Sequence, residues 1–336
     1  MYWYEKEGGG TSTVLSTRVR FARNLEKTPF PRTLSEEGRS EVFCRVQKAY
    51  EKKDMLVVPF DTASPVLKEA YVQTHLASKS LAKTGKGSGL LLSRDGEVSL
   101  MVNEEDHIRL QVIRKGKEIR SSFEKAVEWM RFGEEKLPIA FREKLGYLTA
   151  CPTNLGGAMR VSVMIHLPAL CAAGRMTTLT RSLNDLGFTV RGLFGEGSRE
   201  SGNIFQISNQ MSRDKTEEEI IASFEQVIVQ VEEQEKSARE LLLKKDRLFW
   251  EDRVSRAVGT LQFARKMSYS EFIGLYSLVR FGKEAGFPVS DALKNPDRLF
   301  VELSPAPLLL SDQTLTDETD RDAERSRRIR ENMKHP

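Results

Sequence analysis

Two arginines two residues apart, in Ser16-Thr17-Arg18-Val19-Arg20, share a face if the segment is extended. Their planar guanidinium forks suit phosphate oxygens, which they can hold bidentately. A second group, Asn103-Glu104-Glu105-Asp106-His107-Ile108-Arg109, sets three carboxylates in a row before another arginine. Strand alternation would point Glu104 and Asp106 one way and Glu105 and His107 the other. Crowded carboxylates raise one another's pKa, which suits a general base; the bland meaning of such a run is a solvated acidic turn. Cys151-Pro152-Thr153-Asn154-Leu155-Gly156-Gly157 is a turn-rich loop carrying a cysteine, with Arg160 just beyond it. A lone cysteine is usually a small buried hydrophobe, and next to cations it can become a thiolate. Arg191-Gly192-Leu193-Phe194-Gly195-Glu196 places an arginine and a carboxylate around flexible glycines. Gly85-Lys86-Gly87-Ser88-Gly89 lacks the spacing of a Walker phosphate loop and carries little weight.

These groups need a scaffold, and apolar periodicity outlines one. Strands are expected from residue 13, over 56–60 and over 161–167, with a further pair at 188–193 and 204–207. The runs 90–93 and 98–102 flank Asp95-Gly96, a strong hairpin signal, and 108–112 continues extended. Helical spacing covers 35–54, 66–81 and 123–132. Strands and helices mixed without a regular βαβ repeat make the fold class α+β. After residue 212 the pattern becomes all-helical. Thr216-Glu217-Glu218-Glu219 reads as a capping box, apolar residues follow at helical intervals to about 258, and Ser268-Tyr269-Ser270-Glu271 caps another helix. Two domains are therefore expected, 1–212 and 213–336, as the length of 336 residues also suggests.

Composition removes several classes of function. Lysine plus arginine number 52 against 48 acidic residues, so the net charge is only +4 and no general polyanion binder is indicated. The arginine-rich run 325–330 follows an acidic stretch at 312–324, which reads as a mixed-charge helix rather than a nucleic-acid contact. Three widely spaced cysteines (Cys44, Cys151, Cys171), four histidines and no CxxC argue against a disulfide framework or a structural zinc. The opening residues are polar and carry acid, unlike a signal peptide, and no apolar run has the length of a membrane span. A cytoplasmic protein without membrane contact is expected.

Taken together, the arginine pair, the acidic run with Arg109, the cysteine loop with Arg160, and Arg191 with Glu196 resemble the phosphagen (guanidino) kinases in order and spacing, over about residues 15–210. The chain is most similar to the bacterial protein-arginine kinases of that family. Kinases of small guanidino metabolites carry a helical N-terminal domain before the first arginine motif, which here begins at residue 16. The helical extension after 212 fits the bacterial type. So does Arg321-Asp322-Ala323-Glu324-Arg325-Ser326, which resembles that group's phosphoarginine-binding motif.

The resemblance implies a phosphagen-kinase-like catalytic domain, with a mixed and mainly antiparallel sheet flanked by helices, ahead of an all-helical C-terminal domain. It implies transfer of the γ-phosphoryl of ATP, carried with Mg2+ and no protein metal ligand, to arginine side chains of proteins. Arg18, Arg20, Arg109, Arg160 and Arg191 become the phosphate clamp. Ser16, Thr17, Val19, His75, Val161-Ser162-Val163-Met164 and Gly192-Leu193-Phe194-Gly195 become nucleotide-side positions. Glu105 is the principal base with Glu196 as second carboxylate (itself also nucleotide-side), Cys151 a thiolate against the guanidinium, and Arg321, Asp322 and Arg325 a phosphoarginine receptor. Stress regulators and damaged proteins with exposed arginines, an activator protein, a protease system and a homodimer are the implied partners. The chain departs from the family pattern at Gly156-Gly157-Ala158, Val161, Phe194 and Ser326, none of which removes a charge. Two alternatives stand beside this: a kinase for free arginine, and a catalytically silent phosphoarginine-binding adaptor.

Overall fold

The computed structural model describes residues 2–5, 13–192, 202–211 and 215–333. Its strands are β1 (Val14–Arg23), β2 (Met55–Pro59), β3 (Gly89–Ser93), β4 (Val98–Val102), β5 (Ile108–Lys115), β6 (Phe141–Arg142), β7 (Gly146–Tyr147), β8 (Met159–His166), β9 (Phe188–Gly192) and β10 (Ile204–Asn209). Eight of them form one sheet in the order β2-β3-β4-β5-β1-β8-β10-β9, and β6 and β7 form a small ribbon. The pairs β2·β3, β3·β4, β4·β5 and β1·β5 are antiparallel. The expected hairpin turns at Asp95-Gly96, where Gly96 has φ +65° and its N–H donates to the Ser93 carbonyl. Strands β3 and β4 are buried along their whole length, which is why Leu90-Leu91-Leu92 shows no alternation.

The helices are α1 (Glu36–Ala49), α2 (Pro65–Gln73), α3 (Lys79–Ala82), α4 (Ile119–Glu134), α5 (Pro168–Ala172), α6 (Met176–Asp185), α7 (Glu217–Phe263), α8 (Tyr269–Glu284), α9 (Pro296–Glu302), α10 (Pro305–Ser311) and α11 (Glu318–Glu331). The single helix expected over 66–81 is two. His75 takes a left-handed φ of +62°, and the amides of Leu76 and Ala77 both donate back to the Tyr71 carbonyl. The apolar spacing runs on across that break because Ala70 and Tyr71 before it and Leu76 and Leu81 after it are all buried. Helix α7 starts on the expected capping box: Glu219 N–H donates to Thr216 Oγ1 and Thr216 N–H to Glu219 Oε2. It breaks at Asp246, whose backbone leaves the helical region and whose side chain accepts from Phe249 N–H to start the helix again.

The described chain gathers into two compact units that interleave along the sequence. One comprises Met1–Gly9, Ser16–Val163 and Ser208–Gln226, the other Gly10–Leu15, Met164–Ile207 and Val227–Pro336. The compositional change after residue 212 falls inside the last segment of the first unit.

Candidate active site

Register places the first cations. In the β1·β5 pair Ala22 lies opposite Arg109 and Arg20 opposite Gln111, and residues directly opposite share a face. Arg18, Arg20, Arg109 and Gln111 therefore project from one side of the sheet. On the neighbouring strand β8, Ser162 Oγ accepts from Arg18 Nε at 3.4 Å, so Arg160, two residues earlier, joins the same side. Arg160 Nε donates to the Asn209 carbonyl. Thr17 and Val19 face the other way. Thr17 Oγ1 donates to the Gly116 carbonyl and accepts from Glu118 N–H, while Val19 is core, as are Val161 and Val163 on β8.

Gathering these guanidiniums is electrostatically costly. The Arg18 pKa falls to about 10, through burial first and then through Arg109 and Arg160. Arg20 falls well below its ordinary value through burial, Arg18, Arg109 and Arg160, and among the charges acting on it only Glu104 opposes the drop. Among the described residues its buried Nε has no hydrogen-bond partner. Four crowded guanidiniums, with an unmet donor on Arg20, form a site for a polyanion such as a triphosphate.

The break between α2 and α3 sets His75 beside this face. Gln111 Nε2 donates to the His75 carbonyl at 2.7 Å and Ser99 Oγ to the Leu76 carbonyl at 3.0 Å. Trp3 Nε1 donates to the Thr74 carbonyl, and its ring lies 6.4 Å from that of His75. Burial and the nearby Arg18 lower the His75 pKa to about 4, so the ring is neutral beside the cations.

The acidic run forms a turn, so the expected strand alternation does not hold. Asn103 has φ +56°, its N–H donates to the His107 carbonyl, and its amide group donates to the carbonyls of Arg39 and Gly87. Glu104 turns inward, paired to Arg109 at 2.5 Å and accepting from Ser78 Oγ. Asp106 and His107 are both buried. Asp106 Oδ1 accepts from Asn24 Nδ2 at 2.6 Å and from Ala150 N–H at 2.7 Å. His107 Nδ1 accepts from Leu25 N–H and Nε2 lies 2.9 Å from the Pro29 carbonyl, an arrangement of the neutral ring, whose pKa burial lowers to about 4. Glu105 is left exposed, with its pKa raised by partial burial, Asp106 and Glu104 against the pull of Arg109.

Cys151 is half-buried, with Sγ 3.0 Å from Thr153 Oγ1. Its loop is framed where Tyr147 N–H donates to the Gly156 carbonyl and Gly156 N–H to that of Leu145. Gly146 sits at φ +73°, and a Cβ there would lie 2.3 Å from the Gly156 oxygen, so no side chain fits. Beside it, buried Arg23 donates to Glu134 Oε1 at 2.6 Å and to the Gly157 carbonyl, and lies 3.3 Å from the Tyr147 ring centre. Sequence reasoning missed Arg23, Asn24, Ser78 and Gln111, whose types carry no signal of their own; Asp106 was visible in the acidic run but had no assigned role.

The remaining assignments are placed less completely. Ser16 is buried on β1, Ser162 and Met164 lie on β8, and Arg191 and Gly192 end β9. Leu193, Phe194, Gly195 and Glu196 lie outside the described residues. On α11, Asp322 and Arg325 form a buried ion pair at 2.5 Å. Arg325 also donates to the carbonyls of Leu303 and Met267, while Arg321 donates to those of Leu315 and Thr316. Among the described residues no group of three or more His, Cys, Asp or Glu could hold a metal ion, and no helix is long and apolar enough to cross a membrane.

Comparison with known proteins decides the family. Residues 37–238 match the ATP:guanido phosphotransferase C-terminal catalytic domain, and residues 247–336 match the protein-arginine kinase McsB C-terminal domain. A protein-arginine kinase of Halothermothrix orenii is 39% identical over 98% of this chain and 95% of its own length. One of Clostridium novyi is 37% identical over 99% and 98%. The chain belongs to the protein-arginine kinase family. Its fold is that of the wider guanidino kinases. A lombricine kinase structure superposes with a TM-score of 0.60 at 21% identity, covering 67% of this chain and 66% of that one. The duplicated taurocyamine kinase of Schistosoma mansoni gives 0.62 at 21%, covering 81% and 41%. The second family match begins one residue after the α7 break at Asp246.

Proposed function

We propose that this chain transfers the γ-phosphoryl group of ATP to a guanidinium nitrogen of an arginine in a protein substrate. The observation that carries the proposal is the crowded arginine face of β1, β5 and β8 beside Glu105, an exposed carboxylate of raised pKa. Phosphoryl transfer asks little covalent chemistry of the protein, so charge neutralisation and alignment dominate. Arg18, Arg20, Arg109 and Arg160 bind and orient the phosphates, and Arg191 on β9 is assigned to the same task. Magnesium would come bound to the phosphates and share in neutralising them.

An arginine guanidinium is a poor nucleophile while it keeps its charge. Glu105 orients it and accepts its proton as the N–P bond forms and the bond from the γ-phosphorus to the bridging oxygen breaks, releasing ADP. Glu196 is assigned as second carboxylate and Cys151 as a contact to the guanidinium. Arg321, Asp322 and Arg325 are assigned to phosphoarginine. By family likeness the substrates would be stress regulators and damaged proteins marked for a protease system in the cytoplasm, with an activator protein and a homodimeric enzyme.

The test is incubation with ATP and either an arginine-rich protein or free arginine, followed by mass spectrometry under non-acidic conditions. Phosphoarginine in the protein is expected. Phosphorylation of free arginine alone would make this a metabolite kinase, and no transfer to either would make it a binding protein.

A further inference from the structure

We infer that Asp106 and Asn24 are a positioning pair that holds the acceptor side of the site together, fixing the turn that carries Glu105 against the loop that carries Cys151. The inference rests on the reading of Glu105 as the base. Asp106 directly follows Glu105 in the chain, and the amide that it accepts from, Ala150 N–H, lies one residue before Cys151. A single buried oxygen, Asp106 Oδ1, thus joins the two segments that present the base and the thiol.

Asn24 makes the junction three-way. Its Oδ1 accepts from His107 N–H at 2.9 Å, and its Nδ2 donates to Asp106 Oδ1 and to the Leu148 carbonyl at 3.0 Å. Asn24 is the residue immediately after β1, the strand of Arg18 and Arg20. The phosphate strand, the base turn and the thiol loop therefore meet at one amide and one carboxylate, both about 2% exposed. A buried carboxylate is tolerated only when its oxygens are hydrogen-bonded, and here the bonds it requires are those that fix two functional loops.

The carboxylate has a second effect through its charge. Glu105 is acted on by Asp106 and Glu104, which favour its protonated form, and by Arg109, which opposes them. Burial, and after it Glu104, raises the pKa of Asp106 itself, while the donors on Ala150 and Asn24 and the charge of Arg109 favour its carboxylate. Geometry and charge can be separated by substitution. Asp106→Asn keeps an acceptor oxygen for Asn24 and Ala150 and removes the charge, whereas Asp106→Ala removes both.

In the full-length enzyme, Asp106→Ala should lower kcat at least tenfold and raise KM for the protein acceptor several-fold, leaving KM for ATP within twofold. Acceptor should no longer protect Cys151 from iodoacetamide. Asp106→Asn should restore the acceptor KM, and the acid limb of its kcat/KM profile should move to lower pH, because Glu105 loses a neighbouring negative charge. Should Asp106→Ala fail to fold, the Asp106→Asn profile decides alone, and an acid limb unmoved from wild type overturns the inference. Equal losses in ATP and acceptor KM in Asp106→Ala would also overturn it, as the mark of a general structural role. Glu105→Gln run in parallel separates the two readings. An active Glu105→Gln removes the base assignment and this inference with it, whereas an inactive one beside a wild-type Asp106→Ala removes only the positioning pair.

Discussion

Glu104 and Arg109 form a 2.5 Å ion pair in which the carboxylate is 3% exposed and the guanidinium 24%. The pair ties the acidic turn to the phosphate face and supplies the counter-charge that Arg20 has there. Glu104→Gln would leave the cations unbalanced, and removing one partner of a buried pair typically costs ~3–5 kcal/mol. Without nucleotide the variant should melt several degrees below wild type. A triphosphate binds only the folded face and should therefore stabilise it more than it stabilises wild type. Thermal melts with and without ATP test this, and an unchanged ATP-induced shift would show that Glu104 does not balance the clamp.

Glu105, the next residue along, is exposed, which leaves it available to a substrate guanidinium. Glu105→Gln keeps the shape but cannot take the proton. Turnover should fall about a hundredfold or more while KM for ATP stays close to wild type. Steady-state kinetics with saturating acceptor provide the check, and turnover within a fewfold of wild type would move the base role elsewhere.

Acid sensitivity of the fold should come from the histidines. His75 and His107 have pKa values lowered to about 4 and His166 lies well below its ordinary value, chiefly through burial. They are neutral when folded and bind protons near pH 6.5 when unfolded, so the unfolded chain holds more protons between about 6.5 and 4. Stability is thus fully present above pH 6.5 and is lost as the pH falls toward 4. Urea midpoints measured across that range should decline, with a shallower slope in His107→Gln. An identical slope in that variant would remove His107 as a contributor.

The sequence revealed chemistry more readily than it revealed supports. Arginines spaced by two on a strand, a carboxylate run and a cysteine loop are visible as types and spacings, and the hairpin at Asp95-Gly96 and the capping box at Thr216 follow from local turn and cap chemistry. What holds these groups was hidden, because it depends on pairings distant in the chain. Asn24 meets Asp106 across 82 positions, and Arg23 meets Glu134 across 111. The acidic run did not alternate because Asn103 enters the left-handed region and turns the chain, which spacing alone does not reveal. The break at His75 was masked in the same way by buried apolar residues on both sides of it, Ala70 and Tyr71 before and Leu76 and Leu81 after.

The C-terminal arginines differ in what they are bound to, and this divides their expected roles. Arg325 is 2% exposed and donates to Leu303 O, Met267 O and Asp322, beneath the Tyr269 ring at 5.8 Å. Arg321 is half-buried and donates to the Leu315 and Thr316 carbonyls before α11. Arg325→Ala strands Asp322 and two carbonyls, so it should lower the melting temperature of the C-terminal helices by several degrees whatever it does to ligands. Arg321→Ala should leave that melting temperature nearly unchanged, which makes it the cleaner probe of the proposed phosphoarginine receptor. Calorimetry with free phosphoarginine should show at least a tenfold weaker Kd in Arg321→Ala, with the initial rate on a saturating acceptor reduced far less than in Glu105→Gln. If Arg321→Ala binds phosphoarginine as tightly as wild type, Arg321 serves the loop it caps and the receptor lies elsewhere.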